Sequence, residues 1–331
     1  MNYRKGRALL GMLALALGLA ACGAAPSANR APSAASAELK SYSQLTVGYA
    51  QIGAESEWRT ANTISIQENA QDLGVRLKFS DAQQKQENQI KALRSFIAQK
   101  VDVIGISPVV ETGWDQVFQE VKDAGIPLIL VDRHAKVADD LFSAFIGSDF
   151  KLEGQNACQE INRLLGGNGT IVELEGTVGS APALDRKAGF HECLAQYPGM
   201  QVLASQSGDF TRAKGKEIMR AYLKSYAGQI DALYAHNDDM ALGAIQAIEE
   251  AGLKPGVDIK VVSVDAVRAA FEAMVAGKLN ATVECNPLLG PQFFATALKL
   301  ANGQPVDKWV KSQEGVYRQE TAAQDLPSRK Y

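Results

Sequence analysis

The chain has 331 residues, 46% of them apolar and 21% charged, with a formal net charge of −3. That balance is ordinary for a globular protein and supplies no basic surface for nucleic acid or anionic lipid. No Cys-x-x-Cys, His-Glu-x-x-His or EF-hand spacing occurs, so neither a metal site nor a cofactor is expected.

In chain order, Arg4, Lys5 and Arg7 come first, followed by an apolar run over residues 8–20 with the length of a signal-peptide core, short for a membrane span. The run closes on Leu19-Ala20-Ala21-Cys22, which resembles the lipobox at which bacterial lipoproteins are cleaved and diacylated on the cysteine. Residues 1–22 are therefore expected to be a lipoprotein signal peptide, with the lipid on Cys22; an ordinary signal cut beside a chance cysteine is the alternative. Residues 23–43 are rich in Ala, Ser and Pro and poor in large apolar side chains, so they bury too little surface to offset chain entropy and read as a disordered tether. A flexible segment of that length spans roughly 25 Å, enough to hold a domain just off a membrane.

From residue 44 the hydrophobic period alternates. Apolar runs at 46–50, 75–79, 103–106, 127–131 and 143–147 predict strands, with helices predicted over 58–73, 86–99 and 112–124. The pattern then restarts: helix 151–165, strand 170–174, helix 184–197, strand 201–205, helix 212–226, and strands at 231–235 and from 260. An extended segment 280–286, a helix 290–301 and an extended tail 308–321 follow. This predicts an α/β protein of two doubly wound parallel-sheet lobes with a cleft between them. Cys158 and Cys193 fall on the helices that flank strand 170–174, where neighbouring helices could bring them within bonding distance; two buried thiols are the alternative.

In an open parallel sheet, ligands bind beyond the carboxyl ends of the strands. The first lobe places Gln51, Glu55, Glu57, Trp58 and Arg59, then Asp81 and Gln83, Ser107, and the pair Asp132-Arg133 at such ends. The second lobe adds Glu175, Asp185, Arg186, Asp209, Phe210, Arg212, Asn237, Asp238 and Asp265. Carboxylates, amides and guanidinium groups with a few aromatic rings suit a neutral polyol or sugar, because hydroxyls both donate and accept while the C–H faces stack on rings. Each of these residues could instead be a helix cap. For Asn237, the neighbours Asp238 and Asp239 are expected to supply the cap and leave its amide free for ligand.

The runs Leu45–Arg59, Gln84–Lys91, Ser107–Val110, Asp132-Arg133, Ser207–Arg212 and Tyr234–Met240 resemble the bacterial periplasmic sugar-binding proteins of the ribose and galactose class, most closely its galactofuranose-binding members, which serve ABC transporters. The resemblance runs from about residue 45 to 286. It implies the type I periplasmic binding protein fold, with two lobes joined by three crossover strands, and a monomer that closes on one monosaccharide and delivers it to a membrane permease. The lobes would comprise residues 44–148 with 285–307, and 149–284 with 308–331.

Carried across position by position, the resemblance makes Trp58 a ring-stacking residue with Arg59 beside it. Asp132 and Arg133 match the pair after the fourth strand, Arg186 the arginine opening a helix of the second lobe, and Phe210 the second stacking ring. Asn237 and Asp265 match the amide and carboxylate that bind hydroxyls. At a crossover where relatives often carry an amide this chain has Glu284, which leaves room for a different sugar. A calcium loop found in some glucose and galactose binders has no counterpart. Two other functions share these features: a sugar receptor for chemotaxis or a signalling kinase, and an enzyme using Asp132 and Asp265 as paired carboxylates. The enzyme is disfavoured because the chain holds no nucleophile elbow and its glycines near 167–169 precede a strand where a nucleotide loop would follow one.

Overall fold

The computed structural model describes residues 39–331. The expected signal peptide, Cys22 and the tether as far as residue 38 lie outside the described residues. Residues 39–43 are not tether: the Lys40 backbone N–H donates to Asn302 Oδ1 at 2.7 Å, and Tyr42–Gln44 form a short 3-10 turn leading into the first strand.

The first lobe is built from β1 (Thr46–Gln51), α1 (Glu57–Leu73), β2 (Arg76–Asp81), α2 (Gln86–Ala98), β3 (Val103–Ile106), α3 (Asp115–Asp123), β4 (Leu128–Val131) and β5 (Ala144–Gly147). The second contains α4 (Phe150–Leu165), β6 (Asn168–Glu175), α5 (Ala181–Leu194), β7 (Gly199–Ser207), α6 (Arg212–Ser225), β8 (Ala232–Ala235), α7 (Asp238–Glu250), β9 (Lys260–Asp265), α8 (Arg268–Val275) and β10 (Ala281–Glu284). The chain then returns to the first lobe for α9 (Gly290–Ala301) and β11 (Trp309–Lys311), and ends on the second with β12 (Val316–Arg318) and α10 (Ala322–Asp325).

Every residue of β3, β4, β5 and β8 is buried, as required of parallel strands covered by helices on both faces. The sheet orders are β11-β5-β4-β3-β1-β2, parallel throughout, and β12-β10-β9-β8-β6-β7, parallel except for β12. Helix entry follows local chemistry: Ser56 caps α1 by accepting from the Arg59 N–H, and Asp149 caps α4 by accepting from Leu152.

Two expectations are corrected. The resemblance places the whole segment from residue 308 in the second lobe, but Trp309–Lys311 pairs with Phe145–Gly147 and forms the edge of the first sheet. The third crossing therefore falls between residues 311 and 316, beside those at 147–150 and 284–290. The eight-residue α8 has no counterpart among the predicted elements.

Cys158 on α4 and Cys193 on α5 are joined by a disulfide, with their Cα atoms 6.1 Å apart. Glycines let the two helices approach closely enough. A Cβ at Gly154 would stand 2.1 Å from the Arg186 carbonyl oxygen, and one at Gly189 would stand 2.0 Å from that of Lys151.

Candidate functional site

The carboxyl ends of both sheets face one small cavity. It is lined by Glu55, Ser56, Trp58, Arg59, Asp132 and Arg133 from the first lobe, by Pro182, Arg186, Phe210, Asn237 and Asp265 from the second, and by Cys285 at the second crossing. Its volume is about 20 Å³, room for little more than a water molecule. The lobes are drawn together over it: the Glu57 N–H donates to Asp239 at 2.7 Å, Arg212 meets Glu57 at 2.8 Å, and the Glu111 N–H donates to the Gly179 carbonyl at 2.9 Å. A ligand the size of a monosaccharide enters when these contacts part.

The first lobe's wall is an ion network on the β1 and β4 ends. Arg59 donates to Asp132 Oδ2 at 2.5 Å through one terminal nitrogen and to Glu55 Oε1 at 3.1 Å through Nε, while Arg133 donates to the Val109 carbonyl at 3.1 Å and lies 3.6 Å from Glu55. Burial works against the Arg59 charge, but Asp132 and Glu55 hold its pKa above the usual range. Arg133 goes the other way, pushed down to about 10 by burial and by the neighbouring Arg59. Trp58 lies flat under Arg59, whose guanidinium carbon is 4.6 Å from its ring centroid, and the indole N–H donates to the Cys285 carbonyl at 2.5 Å.

The opposite wall centres on Arg186, which donates to Glu153 at 2.7 Å and to the His236 carbonyl at 2.6 Å, with Asp265 at 3.6 Å. Burial raises the pKa of Asp265 well above the carboxylate range, although Arg186 opposes the shift. Phe210 fills the space between the walls: Arg133 and Arg186 lie 5.3 and 5.9 Å from its ring centre. Only glycine fits beneath that ring, since a Cβ at Gly176 would meet it at 1.9 Å. Asp132, Phe210 and Asp265 have φ of 64°, 62° and 124°, a region that costs non-glycine residues of order 1–3 kcal/mol each and is concentrated at binding sites.

Three guanidinium groups (Arg59, Arg133, Arg186) and three carboxyl groups (Glu55, Asp132, Asp265) thus line the cavity. A residue 47–305 match to the family described as periplasmic binding protein domain accounts for most of the chain. The chain belongs to that family. Galactofuranose-binding protein YtfQ of Escherichia coli K12 is 45% identical over 305 residues, 91% of this chain and 96% of that protein. The periplasmic binding component of the arabinose ABC transporter from Shewanella sp. ANA-3, solved with α- and β-L-arabinofuranose, superposes with a TM-score of 0.83 at 52% identity over 86% of this chain and 95% of that one. A Mycobacterium smegmatis structure in complex with β-D-fucofuranose gives 0.84 at 52% identity, covering 87% and 95%. These relatives are solute-binding proteins, not enzymes.

In this member of the family, eight of the nine sequence-derived contact residues (Trp58, Arg59, Asp132, Arg133, Arg186, Phe210, Asn237 and Asp265) line the same cavity. Glu284 does not. Its carboxylate turns to the C-terminal tail, where it accepts from Tyr331 at 2.8 Å and Arg329 at 2.9 Å. The reasoning about Asn237 is also corrected: Asn237 itself caps α7, accepting from the Met240 N–H at 3.0 Å, while Asp238 is tied to Ser263, Thr282 and Val267, and Asp239 to Glu57 and Arg212. Its amide N–H reaches the Phe210 carbonyl at 3.1 Å, so it positions the ring as well as facing the cavity.

The cavity lining also includes Glu55, Ser56, Pro182 and Cys285, which the sequence-derived site omits; of these Glu55 is the charged one. Its Oε2 and Arg133 Nε are buried atoms without hydrogen-bond partners, one an acceptor and one a donor. Of the other strand-end polar residues, Gln51 and Ser107 are buried, Gln51 donating to Asn62 at 3.0 Å and Ser107 paired with the Tyr49 hydroxyl at 3.1 Å, while Glu175 pairs with Lys187 at 2.7 Å.

Proposed function

We propose that the protein captures a neutral monosaccharide in its furanose form between the lobes and passes it to the permease of an ABC transporter, while anchored to a membrane through a diacylated Cys22. The observation that carries the ligand class is the balanced lining of three arginines and three carboxyl groups, with Trp58 and Phe210 for C–H faces. An amino acid would need separate partners for its carboxylate and ammonium on one carbon. A sugar needs interspersed donors and acceptors, which the arginines and carboxyl groups of the lining supply. The relatives named for galactofuranose, arabinofuranose and fucofuranose favour a five-membered ring. Closing the lobes over the ring completes, with Arg186, Asn237 and Asp265, the hydrogen bonds begun by Arg59, Asp132 and Arg133, so binding and closure are one equilibrium.

A thermal-shift and calorimetric screen of L-arabinose, D-galactose, D-fucose, D-ribose and D-fructose against a set of amino acids tests this. One or two sugars should raise the melting temperature, since ligand at 100 times its Kd adds about 2.7 kcal/mol. Asp265→Ala should weaken their binding by roughly 2 kcal/mol, the scale of leaving buried polar partners unsatisfied. Shifts with amino acids and none with sugars would refute the ligand class.

The anchor has its own test. No helix among the described residues is long and apolar enough to cross a membrane, so attachment would depend on Cys22. Palmitate labelling of expressing cells should mark the wild type and not Cys22→Ala; an unlabelled wild type would overturn the assignment.

A further inference from the structure

One interlobe contact stands apart from the sugar cavity and is built differently from it. His134 follows the Asp132-Arg133 pair on the first lobe, and its ring bridges two carboxylates. Nδ1 lies 3.4 Å from Glu111 on the same lobe, and Nε2 lies 3.0 Å from Asp185 on α5 of the other. The three side chains are 36%, 14% and 37% exposed, so the bridge sits at the rim of the closed cleft and is reached by solvent. Beside it, the Glu111 N–H to Gly179 carbonyl bond spans the same seam.

We propose that His134 is a positioning residue for ligand capture: its imidazolium ring latches Asp185 of the second lobe to Glu111 of the first, holding the lobes closed without touching the ligand. This deepens the sugar-binding reading and uses no residue of the cavity.

The groups around the ring determine how the latch responds to pH. The edge of Phe145 on β5 packs against it, and Lys136 lies near Glu111. Lys151 on α4 is near Asp185 but is held by Glu192 at 2.7 Å. Asp149 and Lys308 share the adjoining groove, and each has its own partner: Lys311 at 2.8 Å and the Phe142 carbonyl at 2.6 Å. Glu111 and Asp185 are therefore the carboxylates that hold the His134 charge. Burial works against that charge, and the two carboxylates outweigh it, so in the closed state the ring holds its proton above the usual histidine pKa. Opening removes Asp185 and returns the ring towards ~6.5. Closure is accordingly assisted in full below that value, and the assistance is lost as pH rises through the raised one. Burial also raises the pKa of Glu111, which sets the acid limit of the window.

The test uses the full-length mature protein with nitroxide labels on the exposed helices α2 and α6, through Lys91→Cys and Lys224→Cys, the native Cys285 being buried. Without sugar, the interlobe distance distribution should shift towards the short population when pH falls from 8.5 to 6. His134→Gln, which keeps a hydrogen-bonding group but does not titrate, should abolish the shift, and so should Asp185→Asn. In a second arm, the Kd for L-arabinose should rise about two- to fivefold from pH 6 to 8.5 in the wild type, the scale of a partly exposed ion pair, and stay flat in both variants. A wild-type distance distribution that ignores pH, or a shift that persists in His134→Gln, would overturn the latch. Failure of the wild type to bind any sugar would overturn the proposed ligand class instead, while the first arm would still decide the latch.

Discussion

Arg186→Met is expected to lower the stability of the protein by about 1–3 kcal/mol, the cost of leaving the buried Glu153 and Asp265 carboxyl groups without their donor, and to remove measurable sugar binding. Arg186 is buried, and among the described residues its guanidinium is the one cation in contact with both Glu153 and Asp265. Even with that cation present, burial pushes the Glu153 pKa up to about 8 and holds that of Asp265 well above its usual range. Without it, both groups resist ionisation further. The sign follows from linkage: a carboxyl whose folded pKa exceeds its unfolded value of ~4.3 binds a proton more tightly when folded, so stability falls as pH rises through the folded value. Urea unfolding at pH 5 and pH 8 should therefore show a larger deficit against wild type at pH 8. A deficit below about 1 kcal/mol at both values would show that Arg186 is not the counter-charge described.

The second large effect is expected at the disulfide. The bridge closes a loop with a sequence separation of 35 residues, for which chain entropy alone corresponds to about 4 kcal/mol. The double variant Cys158→Ala/Cys193→Ala should lose close to that in urea unfolding, and the wild type should lose the same amount on reduction. Intact mass should rise by two hydrogens when the native protein is reduced under denaturing conditions. An unchanged mass would show two thiols, and an unchanged unfolding midpoint would show that α4 and α5 are held by packing alone.

What the sequence discloses about this protein follows the range over which its signals act. Strands such as 103–106 and 128–131 are legible because burial on both faces makes them continuous apolar runs, and Asp132 and Arg133 are legible because a charged pair after such a run has few structural uses. Glu284 misleads because its partners are distant: Arg329 and Tyr331 come from the polar end of the chain, where no period announces packing. The short edge strand Trp309–Lys311 has the same difficulty, since three residues carry no alternation from which to choose a sheet. Asn237 shows a subtler limit. Three polar residues in a row each could cap α7, and only the positions of Ser263, Thr282 and Glu57, from other elements, decide that Asp238 and Asp239 are occupied elsewhere. Glu55 appears in sequence as one polar residue among several, whereas its unpartnered oxygen is a property of the folded wall.

The placement of β11 and β12 has a consequence for biosynthesis. Each supplies the edge strand of a different sheet, and both come from residues 309–318, near the end of the chain. A ribosome that has made the first 300 residues has therefore completed neither sheet, and each nascent lobe still presents an open backbone edge. Until residues 309–318 have been made, β5 and β10 each keep one backbone edge unpaired, so neither six-stranded sheet can close around its lobe.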